Sequence, residues 1–253
     1  SKEGRAKGAA YMSGHSKWST IKRKKEKTDN QRAKIFTKIG REIAVAVREG
    51  GPDPASNSKL KDIISKAKAN NVPNDNIDRI IKKAAGDGNA DNYEEIMYEG
   101  YGPSGIAVIV ETLTDNRNRT AGDVRHYFDK YGGNMGQSGC VSFMFNRCGV
   151  ITIEAEDVDE EKLMEDALEA GATDFITDDE GIFEIRTEPN DVGVIRDELA
   201  EKGYHIISSE AAYIPSTYTR LESQEDMKKM ARMIEMFEEN DDVQNIWHNW
   251  EQE

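Results

Sequence analysis

A chain of 253 residues with formal charge −14, 37% hydrophobic and 32% charged residues, has room for two or three ordinary domains. It is too lean in apolar residues for one large core. No run approaches the roughly 18 apolar residues of a membrane-spanning helix, and Ser1–Tyr11 has neither the apolar stretch nor the cleavage pattern of a secretory signal.

Ser1–Tyr11 is therefore read as a cloning remnant ahead of Met12 and left out of the fold. The only cysteines, Cys140 and Cys148, make no zinc set and suit a reducing cytoplasm. The net charge hides an asymmetry. Met12–Ala85 holds 18 Lys/Arg against 8 Asp/Glu, whereas Gly86–Glu253 holds 13 against 39. A basic head on an acidic body favours one orientation on a polyanion.

The first stretch with chemistry is Gly14-His15-Ser16-Lys17-Trp18, followed by Lys22, Arg23, Lys24 and Lys25 and continuing towards Lys34 and Lys38. Clustered cations beside an aromatic ring are what a nucleic-acid surface needs, with Trp18 able to stack on a base or to tuck against its own domain. A solvated arm is the competing reading of such a charge run.

Helical spacing then predicts three amphipathic helices: one over Ile35–Val47 capped at Asp29 or Asn30, one over Ser58–Asn70, and one after Pro73 ending at Gly86. Lys34, Lys38, Arg41, Lys59, Lys61, Lys66, Lys68, Lys82 and Lys83 fall on their outward positions. Gly86–Asn89 is linker chemistry.

Strands are expected over Ile96–Gly100 and Gly105–Leu113, then a polar loop Thr114–Thr120, a helix Ala121–Tyr131, a glycine-rich loop Gly132–Gly139 and a strand Cys140–Phe145. From Gly149 the order is β-α-β-β-α-β, the ferredoxin-like split βαβ pattern. Its helix Asp159–Gly171 should bury Leu163, Met164, Ala167 and Leu168, and its helix Asp191–Lys202 should bury Val194, Ile195 and Leu199. The tail adds a helix Gln224–Asn240 and a strand Val243–Trp250, the helix and strand that the domain begun at residue 89 lacks.

The fold class is therefore α+β: an N-terminal three-helix domain followed by two α/β ferredoxin-like domains, the third inserted into the second. The boundaries read as 12–88, 89–146 plus 216–253, and 147–215.

Catalytic signatures are absent from the sequence: there is no HExxH, P-loop, G-x-S-x-G or paired CxxC. No catalytic residue, metal ligand, cofactor or small-molecule substrate is assigned. Arg117 and Arg119, in a stretch otherwise poor in cations, can grip phosphate through bidentate guanidinium or pair with Asp115 or Asp123. The loop around Asn134, Met135 and Gly136 can offer backbone N–H groups to a phosphate or simply turn the chain.

Several of these stretches occur together in one family. Gly14–Trp18 with its Lys/Arg run, Lys34–Lys38, Tyr98–Pro103, Thr114–Thr120, Gly132–Gly136 and Asp241–Asn249 resemble, in order, the signatures of the YebC/PmpR family, with Trp247 where that pattern has Tyr. The resemblance spans Met12 to the end. It implies a three-domain cytoplasmic protein described as a DNA-binding transcriptional regulator. It also implies kinship with mitochondrial translational activators of cytochrome c oxidase synthesis, and a link of bacterial members to the ribosome and to proline-rich stretches. The expected partner is DNA or rRNA.

Overall fold

The computed structural model of the chain describes residues 27–86 and 92–252. Among these residues it forms two compact units: Thr28–Met144 with Thr219–Glu253, and Phe145–Tyr218.

The first unit opens with three helices: α1 (Asp29–Gly50), α2 (Ser58–Ala69) and α3 (Asn74–Gly86). Thr28 and Gln31 close a reciprocal capping box at the start of α1, satisfying two otherwise orphaned groups. Buried Asn57 caps α2, and its amide donates to the carbonyls of Ala46 and Gly51, fastening the end of α1 to the start of α2. Ile39, Ile43, Leu60, Ile63, Ala67, Val72 and Ile77 form the common core.

β1 (Glu94–Tyr101) and β2 (Ala107–Thr114) make an antiparallel hairpin. The helix α4 (Arg117–Lys130) carries the chain across β1 to β3 (Asn134–Met135), which pairs with Gly100 and Tyr101.

The chain then enters the second unit, β4 (Phe145–Glu154), α5 (Glu160–Ala170), β5 (Asp174–Ile176), β6 (Ile182–Thr187), α6 (Val192–Glu201) and β7 (Ile206–Pro215). Its sheet order is β5-β6-β4-β7, the split βαβ arrangement, with Ile151, Ile153, Leu163, Ala167, Ile185, Ile195 and Leu199 between sheet and helices.

Returning to the first unit, α7 (Gln224–Glu239) and β8 (Val243–His248) follow, and β8 lies antiparallel on β2. The first unit's sheet therefore runs β3-β1-β2-β8, with Val124, Phe128, Met230, Met233 and Phe237 of α4 and α7 packed on Ile106, Val108 and Val110. The tail signature closes this sheet: buried Asn249 accepts from Ala107 N–H through its side chain (2.8 Å) and donates to Ala107 through its backbone (3.2 Å). The molecule is α+β, with a helical N-terminal domain, a second α/β domain split in sequence and a third inserted into it.

Four details differ from expectation. First, the cap of α1 is Thr28 and not Asp29 or Asn30, because the Thr28 hydroxyl and the Gln31 side chain form the reciprocal capping box. Second, α4 begins at Arg117, because Asn116 caps it by accepting from Arg119 N–H. A run rich in Asn, Asp and Thr reads as loop but supplies the cap and first turn. Third, Cys140–Phe145 is not a strand. A single 3₁₀ turn covers Ser142–Met144 and β4 starts at Phe145, since the amides of Gly139, Val141 and Ser142 are taken by a side chain instead of a strand partner. Fourth, Met164, Leu168 and Val194 are exposed, because the core takes only one face of each helix, the one carrying Leu163 and Ala167 or Ile195 and Leu199.

The glycine signature around residue 133 is structural. A Cβ on Gly133 would collide with the carbonyl of Tyr101, and one on Gly100 would sit 2.6 Å from the carbonyl of Asn134. Only glycine lets β3 approach β1 so closely.

The topology generates one expectation. A chain ending at Pro215 lacks Met230, Met233, Phe237 and β8. Amide hydrogen exchange should then show protection of Val108–Val110 lost while the β4 and β6 amides stay protected. Retained protection at Val108–Val110 would contradict a sheet completed by the C-terminus.

Candidate nucleic-acid interface

The charged side chains of the first unit converge on Asp242, in the turn between α7 and β8, whose side chain is 4% exposed. Arg41 of α1 donates through Nη1 to its Oδ1 (2.8 Å) and to the carbonyl of Leu113 (3.2 Å), with its guanidinium 5.1 Å from the ring centroid of Tyr93. Arg119 of α4 donates through Nε to Oδ2 (3.0 Å) and through Nη2 to Oδ1 (2.8 Å), and also reaches Asp115 (2.8 Å). The hydroxyl of Thr120 donates to Oδ2 at 2.9 Å.

Burial by itself raises the Asp242 pKa, but the bonds from Arg119, Arg41 and Thr120 outweigh it and hold the carboxyl below the usual Asp range. The bonds from Arg119 to Asp242, and then to Asp115, push its guanidinium pKa up. A cleft of about 510 Å³ opens beside this centre, lined among others by Lys34, Arg41, Asp115, Arg119, Tyr127 and Asp241.

The residues expected to bind nucleic acid fall into three groups. Lys17, Trp18, Lys22, Arg23, Lys24 and Lys25 lie outside the described residues. Lys34, Lys38, Arg117 and Arg119 are all engaged internally. Lys34 pairs with Asp241 (3.0 Å), Lys38 donates to the carbonyl of Glu238, Arg117 grips Glu94 through two nitrogens (3.2 and 3.1 Å), and Arg119 serves Asp242 and Asp115.

Asn134, Met135 and Gly136 belong to β3 and its exit. Met135 is half-buried and packs on the core cluster, and Gly136 N–H donates to the carbonyl of Glu99.

The amides that follow this glycine loop do point at an anion, and that anion is part of the protein. Glu99, buried on β1, accepts from the N–H groups of Gly139 (2.6 Å), Val141 (3.1 Å) and Ser142 (2.6 Å). Burial raises its pKa, but these backbone donors prevail and hold the carboxyl below its ordinary value of 4.5.

By contrast, Lys68 at the end of α2 and Lys82 and Lys83 on α3 are exposed and make no ion pair among the described residues. Their outward positions are evident from helical spacing. Nothing in the pattern singles them out from Lys34 or Lys38, nor marks Asp242 and Glu99 as buried acceptors. Among the described residues no group of three or more His, Cys, Asp or Glu side chains is arranged to hold a metal, and no helix is long and apolar enough to cross a membrane.

Two measurements test these centres. Asp242→Asn leaves two guanidinium groups short of a buried charge and should cost roughly 3 kcal/mol in urea unfolding, whereas Asp241→Asn, at a half-exposed pair, should cost under about 1 kcal/mol. Glu99 has a folded pKa below its unfolded one, so its stabilising effect is complete above about pH 4.5 and is lost as pH falls through the folded value. Glu99→Gln should therefore remove about 2 kcal/mol at neutral pH, and the gap between wild type and variant should close on acidification. A gap independent of pH would show that the carboxylate charge is not what holds the loop.

Comparison with known proteins fits this architecture. Residues 16–87 match the family model "TACO1/YebC protein N-terminal domain", and residues 93–250 match "TACO1/YebC second and third domain". Relatives named "Probable transcriptional regulatory protein" include one from Finegoldia magna, 58% identical over 96% of this chain and 100% of its own. Another, from Ruminiclostridium cellulolyticum, is 61% identical over 96% and 98%. A conserved hypothetical protein of Aquifex aeolicus, known from its crystal structure, superposes with a TM-score of 0.78 at 43% identity, covering 89% of this chain and 93% of that one. With both family models matched in order across nearly its whole length, the chain belongs to the TACO1/YebC family.

Proposed function

We propose that the chain is a non-enzymatic, cytoplasmic regulator of transcription that binds DNA through its helical N-terminal domain. The observation that carries this reading is the contrast among its cations. Lys34, Lys38, Arg117 and Arg119 are spent on internal partners, whereas Lys68, Lys82 and Lys83 face solvent without an ion pair among the described residues.

The described part of this domain, Thr28–Gly86, holds 12 Lys/Arg against 7 Asp/Glu in a chain that is acidic overall. Helices α2 and α3 are joined by Asn70-Asn71-Val72-Pro73, a connection of the length found between DNA-binding helix pairs, and Lys82 and Lys83 extend from the second of them. The basic run Lys22–Lys25 precedes the same domain in sequence. The names of the relatives agree with a role in transcription.

Lysine contacts to phosphate release counterions, so the number of contacts appears in the salt dependence of binding. Lys68→Glu/Lys82→Glu/Lys83→Glu should weaken DNA binding at least tenfold at about 150 mM salt and lower the slope of log K against log salt by about 0.9 for each lost contact. Footprinting by the intact chain should protect defined promoter segments. Uniform weak protection that vanishes with salt, or tighter binding to an rRNA fragment than to DNA, would overturn the DNA reading.

A further inference from the structure

The inserted domain carries 20 Asp/Glu against 5 Lys/Arg between Phe145 and Tyr218. That sign repels nucleic acid and attracts basic partners. Its helix α5 also has an apolar face wider than its own fold covers. Leu163 and Ala167 are fully buried against the sheet, but Met164 is 39% and Leu168 55% exposed.

The two exposed side chains sit one turn apart, where residues i and i+4 form a continuous strip. They lie on the flank opposite Asp166, which turns towards the end of α6 and accepts from the Tyr204 hydroxyl (2.5 Å) and Lys202 (3.4 Å). A step of 100° per residue places Met164 and Leu168 roughly 160° around the helix from Asp166.

Around this strip lie Glu160 and Glu161, one turn before Met164, and Glu165 and Glu169 beside Leu168. All four carboxylates are exposed and make no ion pair among the described residues. An apolar strip alone has no preferred partner, and a solvated acidic helix alone is unremarkable in an acidic domain. Together they specify the complement: a surface that offers cations to the rim and apolar side chains to the centre.

We propose that this flank of α5 is a docking site for a basic amphipathic helix of another protein. Its Lys or Arg side chains meet Glu160, Glu161, Glu165 and Glu169, and its apolar side chains cover Met164 and Leu168. Methionine suits such a surface because its unbranched thioether adapts to differently shaped partners.

The test uses the intact chain and a fluorescently labelled synthetic helix of about five turns, roughly 18 residues, with Lys on one face and Leu on the other. The controls are the same peptide with Ser for Leu and the same peptide with Glu for Lys. At about 150 mM salt, where exposed charges alone are largely screened, fluorescence anisotropy should show the Lys/Leu peptide binding at least tenfold more tightly than either control. Met164→Ser/Leu168→Ser should weaken that binding at least tenfold.

Both changes are at exposed positions, so thermal unfolding should be preserved. Should that variant lose its fold, Glu160→Gln/Glu161→Gln/Glu165→Gln/Glu169→Gln must produce the same loss of peptide binding. Equal binding of the Lys/Ser peptide would reduce the effect to bulk charge and overturn the site. So would unchanged binding by the folded Met164→Ser/Leu168→Ser variant. Sedimentation showing a dimer of the chain that this variant dissolves would assign the face to a second copy and overturn the proposed occupant. The DNA reading is measured separately, through Lys68, Lys82 and Lys83, and stands or falls independently.

Discussion

The carboxylate of Asp242 joins three stretches that are far apart in sequence. It accepts from Arg41 in the first helix, from Arg119 and Thr120 in the fourth, and it sits in the turn that launches the last strand. A buried charge persists only when its partners replace the water it has lost. Here two guanidinium groups and a hydroxyl do so, and each has a different structural consequence. Arg41 attaches the helical domain, Arg119 fixes the start of α4, and the turn itself sets where β8 meets β2. The orientation of the basic domain on the second domain therefore depends on the same group that aligns the closing strand of the sheet.

Internal use of cations separates attachment from recognition. The basic residues nearest the second domain are matched to Asp241, Asp242, Glu94, Asp115 and the carbonyl of Glu238, while Lys68, Lys82 and Lys83 remain towards solvent. Glu99 plays the corresponding role for donors. It occupies a cluster of backbone N–H groups that would otherwise attract a phosphate, and so turns a glycine-rich stretch from a ligand cradle into a rigid corner. Positive charge in this protein is thus a poor guide to binding until its partners are known.

Much of the architecture is legible in the sequence because it rests on local rules. The periodic Ile and Leu of α1–α3, the Pro and Gly stops and the β-α-β-β-α-β order are short-range signals, and the missing helix and strand of the second domain could be sought in the tail. What escaped reading depends on contacts across long separations. Asp242 follows a run of acidic residues and resembles a helix terminator, although its partners lie more than a hundred positions away. Cys140–Phe145 has the apolar character of a strand, yet its amides are claimed by Glu99 some forty residues earlier. Met164 and Leu168 share the period of Leu163 and Ala167, and periodicity cannot say how far around a helix the covering sheet extends.

The position of β8 also orders events during synthesis. The hairpin of β1 and β2 is made early, but the strand that pairs with β2, and the helix that covers Val108 and Val110 beside α4, leave the ribosome more than a hundred residues later. The helical domain and the inserted domain each have a complete core before then. Vectorial synthesis therefore leaves the second sheet as an open template, with apolar Ile106, Val108 and Val110 waiting through more than a hundred residues of elongation. This non-local closure is the step at which a nascent chain is most exposed to mispairing.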